Sequence, residues 1–400
     1  MAVPHASLDI LLALHHRLKP GFGAPGTTLQ IGQTLSRLGC RVEYYSYDDA
    51  FPDRTDSVST AMRFPWKLAG FLGHHSKAFD VVDVSTGDAW VWSLLGRPGP
   101  SSKAALITRS HGLEQMVDRW EREYAQAGKQ KLSWTYPLYH GGYRLWEVRR
   151  SLRVADHCIL LTDDERKVAA NDLGIADERI SVIGHGLVDR FIGLPEPAPF
   201  AGPLRLAFVG TWIERKGIHA IADSALRLTT SGLDFELSIL GSRFDTEHVM
   251  QSFDTRVRPR VRVTPKFSNE ELPALLSDSE ILLFPSLAEG YGTALPEGMA
   301  CGLAPVATPF GAATTVIQDG RNGSLIAPDD GQALARAVAE LAADRRRLLQ
   351  IRSRAQSDVQ GQRWEGIARQ RLQAYERGLA SRLGSRRKAI VMREPAVERV

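Results

Sequence analysis

The chain has 400 residues, of which 43% are hydrophobic and 24% charged. That balance excludes disorder along most of its length and fits two or three globular domains. No apolar run approaches the ~18 residues of a membrane span. The N-terminal stretch lacks the basic flank of a secretion signal, and Asp9 interrupts its short apolar run at residues 8–14. The three cysteines, Cys40, Cys158 and Cys301, are too scattered for a disulfide framework or a zinc site. A reducing, cytoplasmic setting is therefore expected. The formal charge of +4 is uneven: residues 345–400 hold 15 basic and 5 acidic residues, so the rest of the chain is net acidic. The basic end reads as a solvated helix face followed by a flexible basic tail at 381–400. Attraction to anionic lipid is the functional alternative, and nucleic acid is not expected as a partner.

Apolar runs of strand length alternate with helical periodicity, the mark of βαβ units around parallel sheets. Residues 8–14 read as a buried strand, followed by a glycine-rich loop at 20–28 and a helix at 27–38 closed by Gly39. Further strands are expected at 41–47, 81–85, 104–108, 155–161 and 179–183. Residues 131–153 carry Trp134, Tyr136, Tyr139, Tyr143 and Trp146 and end in arginines. They could form a basic amphipathic helix on a membrane surface, but packing of the aromatics on the first domain is favoured. Four prolines within residues 190–203 exclude a helix or central strand there and mark a semi-rigid linker. The pattern then restarts, with strands at 204–209, 235–240, 280–284 and 305–307 and helices at 218–229 and near 296–300. The fold class is therefore α/β, with two Rossmann-like domains facing each other across a cleft. The boundaries are an N-terminal domain at 1–189, the linker at 190–203, a C-terminal domain at 204–362 and a helix at 363–380 crossing back.

Four segments carry candidate chemistry, each just after a strand, where open α/β sheets bind ligands. Residues 287–302, LAEGYGTALPEGMACG, place Glu289 and Glu297 eight positions apart around Gly290, Tyr291, Gly292 and Thr293. Glycines let a ligand approach the backbone, and carboxylates accept hydrogen bonds from sugar or ribose hydroxyls. Residues 208–217, FVGTWIERKG, bring Gly210, Thr211, Arg215 and Lys216, whose cations suit the charge on a departing phosphate. The loop PGFGAPGTT supplies Gly21, Gly23 and Gly26, which could cradle phosphate or admit an acceptor. His111, in Ser110-His111-Gly112, could shuttle a proton or donate a hydrogen bond. Each segment alone also has a bland reading, as surface residues beside an ordinary turn.

In this order the segments resemble glycosyltransferase family 4 (group 1) enzymes of the GT-B fold. The two glutamates look like that family's Glu-x7-Glu motif, and FVGTWIERKG looks like its glycine and Lys-Gly segment. ADHCILLTDDERKVAANDLGI and ISVIGHGLVDRF are similar to its stretch before the linker, and Arg363-Trp364-Glu365 to the start of its last helices. The resemblance implies a retaining transfer of a hexose-type sugar from a nucleotide-diphosphate donor, without a metal or other cofactor. It implies that Lys216 meets the diphosphate, Glu289 the transferred sugar, Gly290 to Thr293 phosphate and sugar, and Glu297 the ribose. His111 would lie near the sugar, and the Gly21, Gly23 and Gly26 loop near phosphate and acceptor. The acceptor would be a glycan, lipid-linked or small-molecule hydroxyl, with peripheral contact at the inner membrane face. Two positions depart from the pattern: Thr211 stands where the family has arginine, and His185-Gly186 where it has Asn-Gly. A non-catalytic nucleotide-sugar-binding subunit and a GT-B nucleotide-sugar epimerase are the alternatives.

Overall fold

The computed structural model describes residues 7–21, 23–53, 56–96 and 103–391 of the chain. The chain divides into two compact units, residues 1–184 with 364–400, and residues 185–363.

The first unit holds a sheet of β1 (Asp9–Ala13), β2 (Arg41–Tyr45), β3 (Val81–Ser85), β4 (Ala105–Arg109), β5 (His157–Leu160) and β6 (Ile180–Val182). The order is β2-β1-β3-β4-β5-β6 and every pairing is parallel. β3, β4 and β5 are buried throughout, as strands covered by helices on both faces must be. Because β1 has β2 on one side and β3 on the other, strand order reverses there and opens a crevice at the carboxyl ends.

Three expectations for this unit need correction. The loop at 20–28 is helical from Gly23, in the helix Gly23–Arg37. Gly26 sits in its first turns against Gly21, where a Cβ would lie 1.7 Å from the Gly21 carbonyl oxygen. Its smallness is thus explained by packing of the turn. The 131–153 stretch is not one amphipathic helix: a wide turn at Tyr139–Arg144 precedes the helix Leu145–Val154. Tyr136 packs and donates to Asp118 at 2.9 Å, whereas Trp134 is 84% exposed. Finally, the basic end is helical well past residue 381, in the helix Trp364–Val391, while 392–400 lie outside the described residues.

That helix is fastened to the sheet by buried charges. Asp83 on β3 is fully buried and receives Arg109 at 2.7 Å, Tyr375 at 2.6 Å and Arg371 at 3.5 Å. Arg109 also donates to the Ala13 carbonyl at 3.0 Å. A buried charge is tolerated only when paired and hydrogen-bonded in this way, so residues nearly 300 positions apart in sequence are joined in one network.

The second unit repeats the architecture with β7 (Leu204–Val209), β8 (Phe235–Leu240), β9 (Val261–Thr264), β10 (Ile281–Phe284), β11 (Ala304–Ala307) and β12 (Ser324–Leu325). The parallel order is β12-β11-β10-β7-β8-β9, so its reversal falls between β7 and β10. The proline-rich stretch 190–203 lies along this unit and not free between domains. Arg352, on the helix Arg345–Val359, donates to the Ala198 carbonyl at 2.8 Å, and Gln356 to that of Pro195 at 2.9 Å. The helix thus grips backbone carbonyls of a segment whose prolines have no N–H to pair them in a ladder. No helix of the described residues is long and apolar enough to cross a membrane.

Candidate active site

The loops after β7 and β10 meet at the point where strand order reverses. After β7 the chain makes a single 3-10 turn, Glu214–Lys216, closed by Gly217 in the left-handed region at φ 73°. A Cβ on Gly217 would lie 1.9 Å from the Pro285 carbonyl oxygen, so only glycine lets the two loops approach this closely. Two bonds then join them: Leu287 N–H donates to the Arg215 carbonyl at 2.8 Å, and the Arg215 guanidinium to the Ala288 carbonyl at 2.8 Å.

This junction delivers Lys216 to Glu289. The ammonium bonds Glu289 Oε1, which also accepts from Ser286 Oγ at 2.8 Å, while Arg215 stands 3.9 Å from Oε2. Lys216 further lies 5.9 Å above the Phe284 ring. Glu289 is buried, and burial alone would raise its pKa. Attraction to Lys216 and then Arg215 outweighs that and holds the carboxyl below the ordinary carboxylate range. Two cations against one carboxylate leave a surplus positive charge at the carboxyl edge of the sheet, suited to an anionic ligand.

Glu297 sits on the short helix Ala294–Ala300 and takes no part in this hydrogen-bonded group. Its Oε2 is buried and has no hydrogen-bond partner among the described residues. Burial pushes its carboxyl up to about 8, against the pull of Arg190. A carboxyl oxygen sealed from water without a donor is costly in the free protein and ready to accept from a ligand hydroxyl. Tyr291 is buried, donates to the His185 carbonyl at 3.3 Å and meets the His185 ring edge-on at 4.9 Å. Gly292, at φ 78°, turns the chain so closely over Phe284 that a Cβ would come within 2.6 Å of the ring. Gly210 and Thr211 follow β7 directly, and Thr293 precedes the helix that carries Glu297.

Comparison with known proteins gives this geometry a lineage. Residues 203–344 match the family model described as "Glycosyl transferases group 1". The chain is 29% identical to the glycogen synthase of Mycobacterium tuberculosis, over 90% of this chain and 76% of that protein. Among solved structures, sucrose-phosphate synthase from Thermosynechococcus elongatus superposes with a TM-score of 0.73 at 19% identity, covering 93% of this chain and 100% of that one. The group 1 glycosyl transferase model thus falls on the second unit, and the chain as a whole has the GT-B fold. The Anabaena protein HepE in complex with UDP and glucose shares the fold with a TM-score of 0.64 at 18% identity, over 91% of this chain and 98% of that one. Matches to other curated relatives span as little as 43% of the relative's length.

The remaining candidate site residues lie in the first unit. His111 follows β4 and is half-buried, between Ser110, whose hydroxyl donates to Glu165 at 2.9 Å, and Gly112. Gly21 and Gly23 bracket the entry to the helix Gly23–Arg37 after β1. At this unit's reversal point stands a charged cluster that sequence reasoning missed. Asp88 holds His15 Nδ1 at 2.8 Å, and Arg144 reaches Glu114 at 2.6 Å and the Thr86 carbonyl at 2.9 Å. Its members are spread over 130 positions with no local motif, so only the strand topology assembles them. Ser286 and Arg190 were missed for the same reason.

The buried Glu297 carboxyl sets a pH dependence. Its folded value of about 8 exceeds an unfolded value near 4.5, so between these limits the folded state binds more protons. Stability of the ligand-free protein therefore carries a contribution from this group that is full below about pH 4.5 and lost as pH rises through about 8. Glu297→Gln should flatten that decline and raise Tm at pH 8 relative to wild type, as followed by thermal unfolding between pH 5 and 8.5. An unchanged slope would show that Glu297 titrates normally.

Proposed function

We propose that the protein is a retaining glycosyltransferase that moves a hexose-type sugar from a nucleotide-diphosphate donor to a hydroxyl of a glycan, lipid-linked or small-molecule acceptor. The observation that carries this reading is the Lys216–Glu289 pair, its carboxylate buried at the strand-order reversal of the second sheet with Arg215 beside it. HepE, named as a complex with UDP and glucose, supports a nucleotide-sugar donor by likeness of fold.

In this reading the donor diphosphate takes the surplus positive charge of Lys216 and Arg215, while Glu289 stays ionised and accepts from hydroxyls of the transferred sugar. Glu297 Oε2 gains its missing donor from the ribose, with the backbone of Gly290 to Thr293 alongside. The bond from the anomeric carbon to the diphosphate oxygen breaks with its electron pair leaving on phosphate. The acceptor oxygen bonds that carbon on the same face and passes its proton to the departing phosphate. Charge on the leaving group is met by Lys216, the kind of preorganised stabilisation that supplies much of an enzyme's rate. No metal is assigned a part. The carboxyl edge of the first unit, with the His15–Asp88 pair and His111, is the proposed acceptor surface.

Peripheral membrane contact at an inner, cytoplasmic face belongs to the same proposal. The helix Val58–His75 exposes Met62 and Trp66 beside Arg63 and Lys67 and carries no acidic residue. Trp66 meets Trp90 at 5.9 Å, and Trp90 meets the half-exposed Trp146 at 5.0 Å, next to Arg149. Apolar rings among cations that form no ion pair among the described residues fit an anionic lipid surface.

Two measurements test these readings. Lys216→Ala and Glu289→Ala should each lower sugar transfer by at least ~100-fold, the scale of losing one transition-state donor, with a substrate pair found by screening UDP-, GDP-, ADP- and dTDP-sugars. Near-normal turnover in both would reject the assigned roles, and conversion of donor without acceptor would identify an epimerase. Sedimentation with anionic liposomes at low salt should retain wild type and lose the Trp66→Ala/Lys67→Glu variant. Wild type left in solution would end the membrane proposal.

A further inference from the structure

Thr211 removes a cation from the site proposed to hold a diphosphate, and the neighbouring strand offers one in its place. Beyond the carboxyl end of β8 the chain runs Gly241, Ser242, Arg243. Ser242 is fully buried and its carbonyl accepts the Trp212 N–H at 2.9 Å, while Arg243 N–H donates to the Pro265 carbonyl at 3.1 Å. These bonds set Arg243 beside the Thr211–Trp212 peptide, about one strand spacing (~4.8 Å) from it. Arg243 thus occupies the same edge as the Lys216 loop.

Two features separate it from an ordinary surface arginine. Among described non-glycine residues only Arg243 and Asp329 have positive φ, 62° and 57°. Aspartate tolerates that region and arginine does not, so the backbone is strained where glycine would be at ease. Arg243 is also exposed and takes part in no ion pair among the described residues. At the opposite end of the same strands Arg260 pairs with Asp234 at 2.7 Å and Arg262 with Glu236 at 3.2 Å. Strained residues of this kind concentrate at ligand sites.

We propose that Arg243 is the cation that contacts the donor's diphosphate in place of the one absent at Thr211. This rests on the donor reading above. The left-handed backbone holds the residue at the sheet edge, and its planar guanidinium offers paired donors matched to phosphate oxygens.

The test is calorimetric titration of the full chain with UDP, GDP, ADP and dTDP, each paired with its uncharged nucleoside. For the nucleotide that wild type binds, Arg243→Gly should cut the preference for diphosphate over nucleoside by about tenfold or more. Its Tm should hold or rise, because glycine relieves the strain. Adding Thr211→Arg should restore most of the lost preference, since the charge returns one strand away. An unchanged preference in Arg243→Gly overturns the inference while leaving the donor reading intact. An equal loss in Lys266→Ala, at the exposed lysine of the same edge, overturns it too, because a diffuse field and not a contact would then be at work. Failure of wild type to bind any of the four diphosphates removes the donor reading and this inference together.

Discussion

A lysine and a glutamate paired at the edge of a parallel sheet set the terms for the second unit. Glu289 can stay ionised while buried only because Lys216 and Arg215 flank it. Removing Lys216 leaves the buried Glu289 charge in low dielectric, at a cost of up to about 3–5 kcal/mol. The local backbone serves this contact: Gly217 and Gly292 occur where any side chain would collide with Pro285 or Phe284. The pair thus links stability to readiness for a ligand. An anion entering the site finds positive charge already in place and need not wait for side chains to reorganise.

The first unit solves a parallel problem with a different network. Asp83, Arg109, Arg371 and Tyr375 bury charge at the centre of its sheet, and the last helix is thereby made part of a core built mainly from the first half of the chain. At its own reversal point it gathers His15, Asp88, Glu114 and Arg144. Both units also gather charged side chains where strand order reverses.

Much of this was readable in the amino-acid sequence. Strands such as β10 and β11 are continuous apolar runs, and the alternation of such strands with helices implied two parallel sheets. Glu289, Lys216 and their glycines were legible because each lies within a short motif after a strand. Less visible were features set by tertiary contact. The helix Gly23–Arg37 starts inside a glycine-rich run because Gly26 packs on Gly21, and residues 190–203 follow the second unit because Arg352 and Gln356 bind proline-segment carbonyls. Ser286, Arg190 and Arg243 gained significance only from neighbours and backbone angle, which no spacing encodes.

The account turns on where Lys216 goes when a donor arrives. A crystal structure of the full chain with an intact nucleotide-sugar resolves it directly. The expected result is Lys216 Nζ within hydrogen-bond reach of the diphosphate, Glu289 against hydroxyls of the sugar, and Glu297 Oε2 accepting from the ribose. A nucleotide seated elsewhere, with the Lys216–Glu289 bond untouched and Glu297 Oε2 still unpartnered, would contradict it.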